Sequence, residues 1–327
     1  MKKIVILCLA FFAIYTQVYP EILANFPDIA KPTVLRVDDQ YIYISDQYSV
    51  IIYDINTFKI VKKLCGRGEG PEEFKAYPKI IFASGQLILH DNYKIILYSK
   101  DYKPVSEMKL PSTSDWVNPV EDNFVLSTME VIDNNEYMAF TLYNGRLEKM
   151  KTLVMEPVDR DVSKYLITPW PQCRTLDDKI FIAQPHKGFY IDVFDEHGKK
   201  LYHIQKEMEK IKAGEIHREA YKEEILYFLG RRLYEKARDR GIYKKPMKEY
   251  LPPIKRFWVM DHKIYVKTYD ITAVKEKYVI MNLKGNILKT VFLPKTYREI
   301  LTFKNNRFYY LKESEDDDGW VLHSEVL

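Results

Sequence analysis

Glycine is scarce in this sequence, with 12 residues in 327, yet three of the 12 fall within five positions at Gly66, Gly68 and Gly70. A phosphate-cradling loop needs a strand, then the glycines, then a helix whose N-terminus faces the anion. No helical run follows Phe74, and no Gly-Lys-Ser or Gly-Lys-Thr occurs anywhere, so a nucleotide loop is not supported. The other absences are as informative. The seven histidines and three cysteines form no His-x-x-x-His or Cys-x-x-Cys pair, which removes the common zinc spacings. No Gly-x-Ser-x-Gly elbow exists for a serine hydrolase. The formal net charge is only +4, so the bulk composition does not call for nucleic acid or an acidic membrane. Beyond the N-terminus no stretch is apolar enough to cross a bilayer.

That N-terminus reads as an export signal. Met1-Lys2-Lys3 supplies positive charge and Ile4 to Ile14 an apolar segment too short to span comfortably. Residues 1–24 are expected to form a signal peptide cut after Ala24, and residues 25–327 the exported protein, periplasmic or extracellular, or membrane-tethered if the signal stays uncleaved. Cys65 and Cys173 then remain; they fall in different repeats and are expected to be free buried thiols rather than a bridge.

What is abundant is tyrosine, 26 residues, within a recurring pattern. "VDDQYIYIS" at Val37 returns as "ASGQLILH" at Ala83, "VEDNFVLS" at Val120, "LDDKIFIA" at Leu176, "MDHKIYVK" at Met260 and "KNNRFYYL" at Lys304. Each has two turn-prone residues and then an alternating apolar run, the mark of a hairpin. A second strand–turn–strand follows the first five, with Asn144-Gly145, His197-Gly198 and Lys284-Gly285 at its tips. Six units of four antiparallel strands predict an all-β fold, a six-bladed β-propeller. The sixth unit lacks an outer strand; the segment from about Glu21 to Ile29 is free to supply it and close the ring.

Residues 206–248, between the fourth and fifth units, break the pattern. Ile225, Leu226, Leu229, Leu233 and Ala237 recur at helical spacing, and Gly241 and Pro246 end it. This predicts a helical insertion with one apolar stripe, packed on the rim of the propeller in preference to closing over it as a lid.

The glycine stretch lies between the outer strand of the first blade and the inner strand of the second. Its glycines are expected to adopt positive φ in a tight crossover, with Phe74 plugging the space between blades. "GRGEGPEEFKAYPKI" resembles the crossover of NHL-type and bacterial TolB-like six-bladed propellers, in which a Gly-x-Gly-x-Gly-x-x-x-Phe run precedes a proline. Gly66, Gly68, Gly70, Phe74 and Pro78 stand at the matching positions, once in this chain. The resemblance implies a binding or scaffold role.

Crossovers and second-to-third-strand loops share one face of a propeller, around a mouth of the central channel, which is the default place for a site. The candidates there are Arg67 and Glu69 from the glycine stretch, Asp46, Asp91, Asn92 and Asp270 from the loops, His186, and the aromatics Trp116 and Trp170. Trp116 and Trp170 suit stacking on a sugar or peptide, or inter-blade packing. Lactonase-type propellers hold a divalent cation with Glu, Asn and Asp at this end, so Asp46, Asp91, Asn92 and Asp270 could hold Ca²⁺; the same residues are ordinary turn formers. The acidic run Ser314 to Gly319 lacks EF-hand spacing. The expected role is binding of a protein, peptide or glycan at the mouth, with no catalytic residue, cofactor or metal ligand assigned. The alternative is a metal-dependent hydrolase or lactonase using channel carboxylates.

Overall fold

The computed structural model describes residues 20–327 apart from 84, 115, 159–164, 168–169, 297–298 and 316–318, together with the side chains of 228 and 229. The first 19 residues of the expected signal peptide, and the centre of the acidic run at 314–319, lie outside the described residues. Six four-stranded antiparallel sheets follow one another around a ring. Blade 1 comprises Pro32–Val37, Tyr41–Asp46, Ser49–Asp54 and Ile60–Leu64. The inner strands of blades 2 to 6 are Lys79–Ala83, Trp116–Val120, Gln172–Leu176, Arg256–Met260 and Leu301–Lys304. The fourth strand of blade 6 is the N-terminal strand Glu21–Phe26, antiparallel to Trp320–Val326, with Glu21 opposite Ser324 and Phe26 opposite Trp320. An expected cut after Ala24 therefore falls inside the closing strand.

The turns follow from residue chemistry. At the outer hairpin tips Asp54, Asn144, Asp195 and Asn282 each accept two backbone N–H groups of their own turn on Oδ1, the Asx device that makes these residues turn formers. At the inner hairpin tips Gly85, Glu121, Asp177, Asp261 and Asn305 take positive φ, as tight hairpins require.

The core is split into wedges between neighbouring blades. Successive residues of a strand point to opposite faces, so Ile42 and Ile44 enter the wedge against blade 6 while Tyr43 enters the wedge against blade 2. Both faces of each blade are buried, which is why the strands read as nearly continuous apolar runs. The wedge between blades 5 and 6 is largely aromatic: Tyr265 stacks on Phe303 at 3.8 Å, with Trp258, Tyr278 and Phe308 around them. The third and fourth strands of blades 1 to 5 share a register shift near the outer tip, a bulge that adds local twist.

The insertion contains the helix Glu215–Asp239, flanked by a short antiparallel pair, Ile211–Lys212 with Tyr250–Leu251. The helix is interrupted at Gly230, whose φ of 71° and ψ of 166° are not helical. The expected single stripe is broken by this kink. Leu226 and Leu233 are each 42% exposed. The packed residues are Tyr221, Ile225, Tyr234 and Ala237, against a small core of Leu166, Ile167, Tyr243, Leu251 and Tyr269.

Candidate functional site at the channel mouth

The glycine crossover is a self-contained structural unit. Gly66–Arg67 pairs in parallel with Glu73–Phe74. Phe74 is fully buried among Tyr43, Ile52 and Leu64 of blade 1 and Ile80, Leu89 and Tyr98 of blade 2, as the plug reading expects. The glycines do not take positive φ; Cys65 (66°) and Glu72 (57°) do. Gly68 instead makes space for a side chain: a Cβ there would stand 1.9 Å from Glu73 Oε2 and would displace that carboxylate. That carboxylate accepts the Gly70 N–H at 2.9 Å. Arg67 lies over the Tyr48 ring at 5.2 Å, and Glu69 pairs with Lys75 at 2.8 Å while largely exposed. Cys65 and Cys173 are both free thiols.

The candidate carboxylates are committed to backbone and lysine. Asp46 accepts the Ala30 and Lys31 N–H groups at 3.2 and 2.6 Å. Asp91, 1% exposed, accepts four, from Lys75, Ala76, Tyr93 and Lys94. Both residues thus clamp the crossover that enters their own blade. Asp270 pairs with Lys277 at 2.9 Å, and His186 lies 2.9 Å from Glu156. Among the described residues no group of three or more His, Cys, Asp and Glu side chains is placed to hold a metal ion.

Asn92, Trp116 and Trp170 do come together, in the wall of a cavity of about 750 Å³ on the blade 3 to blade 5 side of the mouth. Sequence reasoning missed most of its other walls. Met129 and Met138 come from the long hairpin of blade 3, and Gln172 and Arg174 from the inner strand of blade 4. Lys255, Arg256 and Tyr269 belong to blade 5, and His217, Ala220, Tyr221 and Glu224 to the helix. The helix packs on the rim and also walls the cavity. It is fixed at three points. The neutral His217 ring accepts the Gly214 N–H on Nδ1 at 3.0 Å and donates from Nε2 to the Tyr269 carbonyl at 2.9 Å. Arg256 pairs with Glu224 at 3.1 Å. The Tyr227 hydroxyl donates to the Pro32 carbonyl at 2.7 Å, and its ring meets Trp320 edge-on at the closing seam.

Below the mouth is a second cavity of about 240 Å³, lined by the inner strands of all six blades and hence in the central channel. Trp116 and Arg174 belong to both linings. The Arg174 guanidinium and Lys79 ammonium lie over the Trp116 ring at 4.7 and 4.3 Å, cation–π contacts strengthened by desolvation. Glu299 accepts from Arg36 at 3.1 Å, Arg174 at 2.9 Å and Trp258 Nε1 at 3.3 Å. Burial alone would raise its pKa; Arg174 and Arg36 overcome this and hold it down at about 2. Among the described residues the two linings hold the cations Arg36, Lys79, Arg174, Lys255, Arg256 and Lys304 and the carboxylates Glu224, Asp261 and Glu299. Lys255 also pairs with Glu276 at 3.0 Å and Lys304 with Asp39 at 3.1 Å. The two cavities, which share Trp116 and Arg174, are together called the shaft, and more cations than carboxylates line it. A basic residue in the inner strand of blades 1, 2, 4 and 5, at Arg36, Lys79, Arg174 and Arg256, is the sequence signal that could have found it.

Fold and site define the class: a six-bladed β-propeller with a walled cavity at its channel mouth. No protein-family model and no curated protein matches the chain. Among solved structures it is similar to BamB from Moraxella catarrhalis, at 12% identity over 88% of this chain and 83% of that one, with a TM-score of 0.35. It is also similar to the AfRom2 CNH domain, at 8% identity over 94% and 99% of the two chains, with a TM-score of 0.43. Likenesses this distant carry nothing about the ligand. No helix among the described residues is long and apolar enough to cross a membrane.

Proposed function

We propose that the chain is an exported binding propeller, a distant relative of the NHL-like and TolB-like propellers, that takes a protein, peptide or glycan ligand at the channel mouth. The observation that carries this reading is the walled mouth cavity. Its volume of about 750 Å³ falls within the usual range for ligand pockets, about 300–1,000 Å³. Its walls are polar and apolar in about equal measure, and Arg174, Lys255, Arg256 and Glu224 among them are held by ion pairs. Trp170, 43% exposed at its edge, offers an aromatic platform. A cavity of this kind suits a glycan, a peptide or an extended segment of a protein better than a broad folded surface. Export is supported by the basic and apolar pattern of residues 1–24. A mature N-terminus at or before Glu21 keeps the closing strand whole, together with the Glu21–Arg307 ion pair. Among the described residues the hydrolase alternative has no group of converging carboxylates in its support, since Asp46, Asp91 and Asp270 each hold other partners.

Ala220 faces the cavity from the helix, so Ala220→Trp fills it without touching a blade. On glycan and peptide arrays the wild-type protein is expected to mark a restricted set of ligands, and the variant to lose them by about tenfold or more in affinity. Undiminished binding by a folded Ala220→Trp protein would move the site elsewhere.

A further inference from the structure

The inner strands of blades 1, 2 and 4 send Arg36, Lys79 and Arg174 into the channel cavity beneath the mouth, and Arg256 of blade 5 stands in the wall of the cavity above. Buried charges of one sign are costly unless something opposite accompanies them. Glu299 answers Arg36 and Arg174, and Glu224 answers Arg256. Lys79 is brought into the same channel lining above the Trp116 ring.

Two further groups sit in this lining. Asn118, 6% exposed, has an Nδ2 with no hydrogen-bond partner. His90, fully buried, lies opposite Lys79 across the first two strands of blade 2. Burial, with Lys79 adding to it, pushes its imidazole down to about 3, so the ring is neutral. Its Nδ1 is 3.2 Å from the Asp91 carbonyl, a contact a neutral ring makes only by donating. That leaves Nε2 as a bare acceptor, also without a partner. Unmatched buried donors and acceptors are rare and call for an occupant. Here the unmatched set is one donor and one acceptor, in a lining that also holds Lys79.

We propose that this channel cavity receives the acidic end of a glycan: a sugar whose carboxylate is held by Lys79 and Asn118 Nδ2 and one of whose hydroxyls donates to His90 Nε2. The rest of the chain lies in the mouth cavity between Trp170 and the helix. This deepens the binding role proposed above and rests on it. The donor set favours a uronate over a bare inorganic anion, because an anion without a hydroxyl leaves the His90 acceptor unmet. It favours an acidic over a neutral sugar because the lining is cationic.

The test titrates the protein with glucuronate, glucose and inorganic sulfate at fixed ionic strength. The readouts are melting temperature and tryptophan fluorescence, since Trp116 and Trp170 line the shaft. Glucuronate is expected to raise the melting temperature and change the fluorescence, and to bind at least about tenfold more tightly than glucose or sulfate. Lys79→Met and Asn118→Leu are each expected to weaken glucuronate by about tenfold while the circular dichroism stays that of wild type. Two variants are used so that one failing to fold leaves the other. Glucose binding as well as glucuronate overturns the inference, as do sulfate binding as well, full affinity in a folded variant, or no response to glucuronate. If array ligands bind wild type and not Ala220→Trp while glucuronate does nothing, this inference falls and the mouth reading stands. If Ala220→Trp keeps its array ligands, the mouth reading itself falls.

Discussion

Two crossovers occupy equivalent places in the ring and have opposite uses. The one from blade 1 to blade 2 satisfies its own polar groups. Glu73 serves the Gly70 N–H, Lys94 Nζ donates to the Gly70 carbonyl at 3.0 Å, and Asp91 takes the Lys75 and Ala76 N–H groups. The one from blade 4 to blade 5 runs over 49 residues, 207–255, against 14, 65–78, in the first, and reaches outward. Its helix touches blade 5 through His217 and Glu224 and the closing seam through Tyr227, and between those anchors it presents side chains to an open cavity. Close packing around Phe74 and local hydrogen bonding hold the first crossover in place. The surplus length of the second is what creates a wall. The more conspicuous motif in the sequence is thus the structural one.

That contrast can be broken at its strongest point by Phe74→Ala. Phe74 is fully buried between two blades, so truncation should cost about 3–5 kcal/mol by lost transfer energy and cavity formation. Leu226→Ala on the helix, at a leucine 42% exposed, should change stability by no more than about 0.5 kcal/mol. Urea midpoints of the two variants give the difference directly. Equal costs would mean that the glycine crossover is no more structural than the insertion. A smaller effect sharpens the role of the glycines. Gly68→Ala moves Glu73 away from the half-buried Gly70 N–H and should cost about 0.5–1.5 kcal/mol, the net worth of one hydrogen bond. In a Glu73→Ala background most of that cost should vanish. A cost unchanged between the two backgrounds would place the strain in the backbone and not in the carboxylate.

The fold was legible because its signals are local. An Asx residue at Asp54 or Asp195 binds N–H groups within four residues of itself, and the alternation of "YIYIS" assigns side chains to two faces with no knowledge of the ring. The site was not, because its determinants are radial. Arg36, Lys79, Arg174 and Arg256 stand on strands far apart in sequence and gain meaning only where the strands converge. Asp46 and Asp91 misled for a related reason. The crossover N–H groups of Lys31 and Lys75 lie 15 and 16 residues upstream of them. Although Asp91 also holds the Tyr93 and Lys94 N–H groups, both carboxylates look available to a metal when only the local sequence is read. Gly230 sits inside a helical pattern that tolerates glycine in principle; its non-helical φ and ψ are what divide the helix and leave Leu226 and Leu233 exposed.

The smallest expected effect on stability is also the sharpest separation of the two crossovers. Ile211 faces Leu251 and Lys212 faces Tyr250 in antiparallel register. Lys212 and Tyr250 can therefore be joined by Asn-Gly, the two-residue loop that such a hairpin favours. The exchange removes residues 213–249, the helix with its own packed side chains, while Leu166, Ile167, Leu251 and Tyr269 of the small core stay and every blade strand is left in place. It gives up the Glu224–Arg256 pair and the Tyr227 contacts, which tie the helix to the ring and do not build a wedge. The shortened protein should retain its β-type circular dichroism and a cooperative transition close to that of the parent, while affinity for any mouth ligand falls below detection, because one wall of the cavity is gone. Loss of the β signal would show that the insertion is part of the ring's core, and the contrast between a structural crossover and a site-forming one would collapse. Retained binding would show that the walls from blades 3 to 5 suffice without the helix.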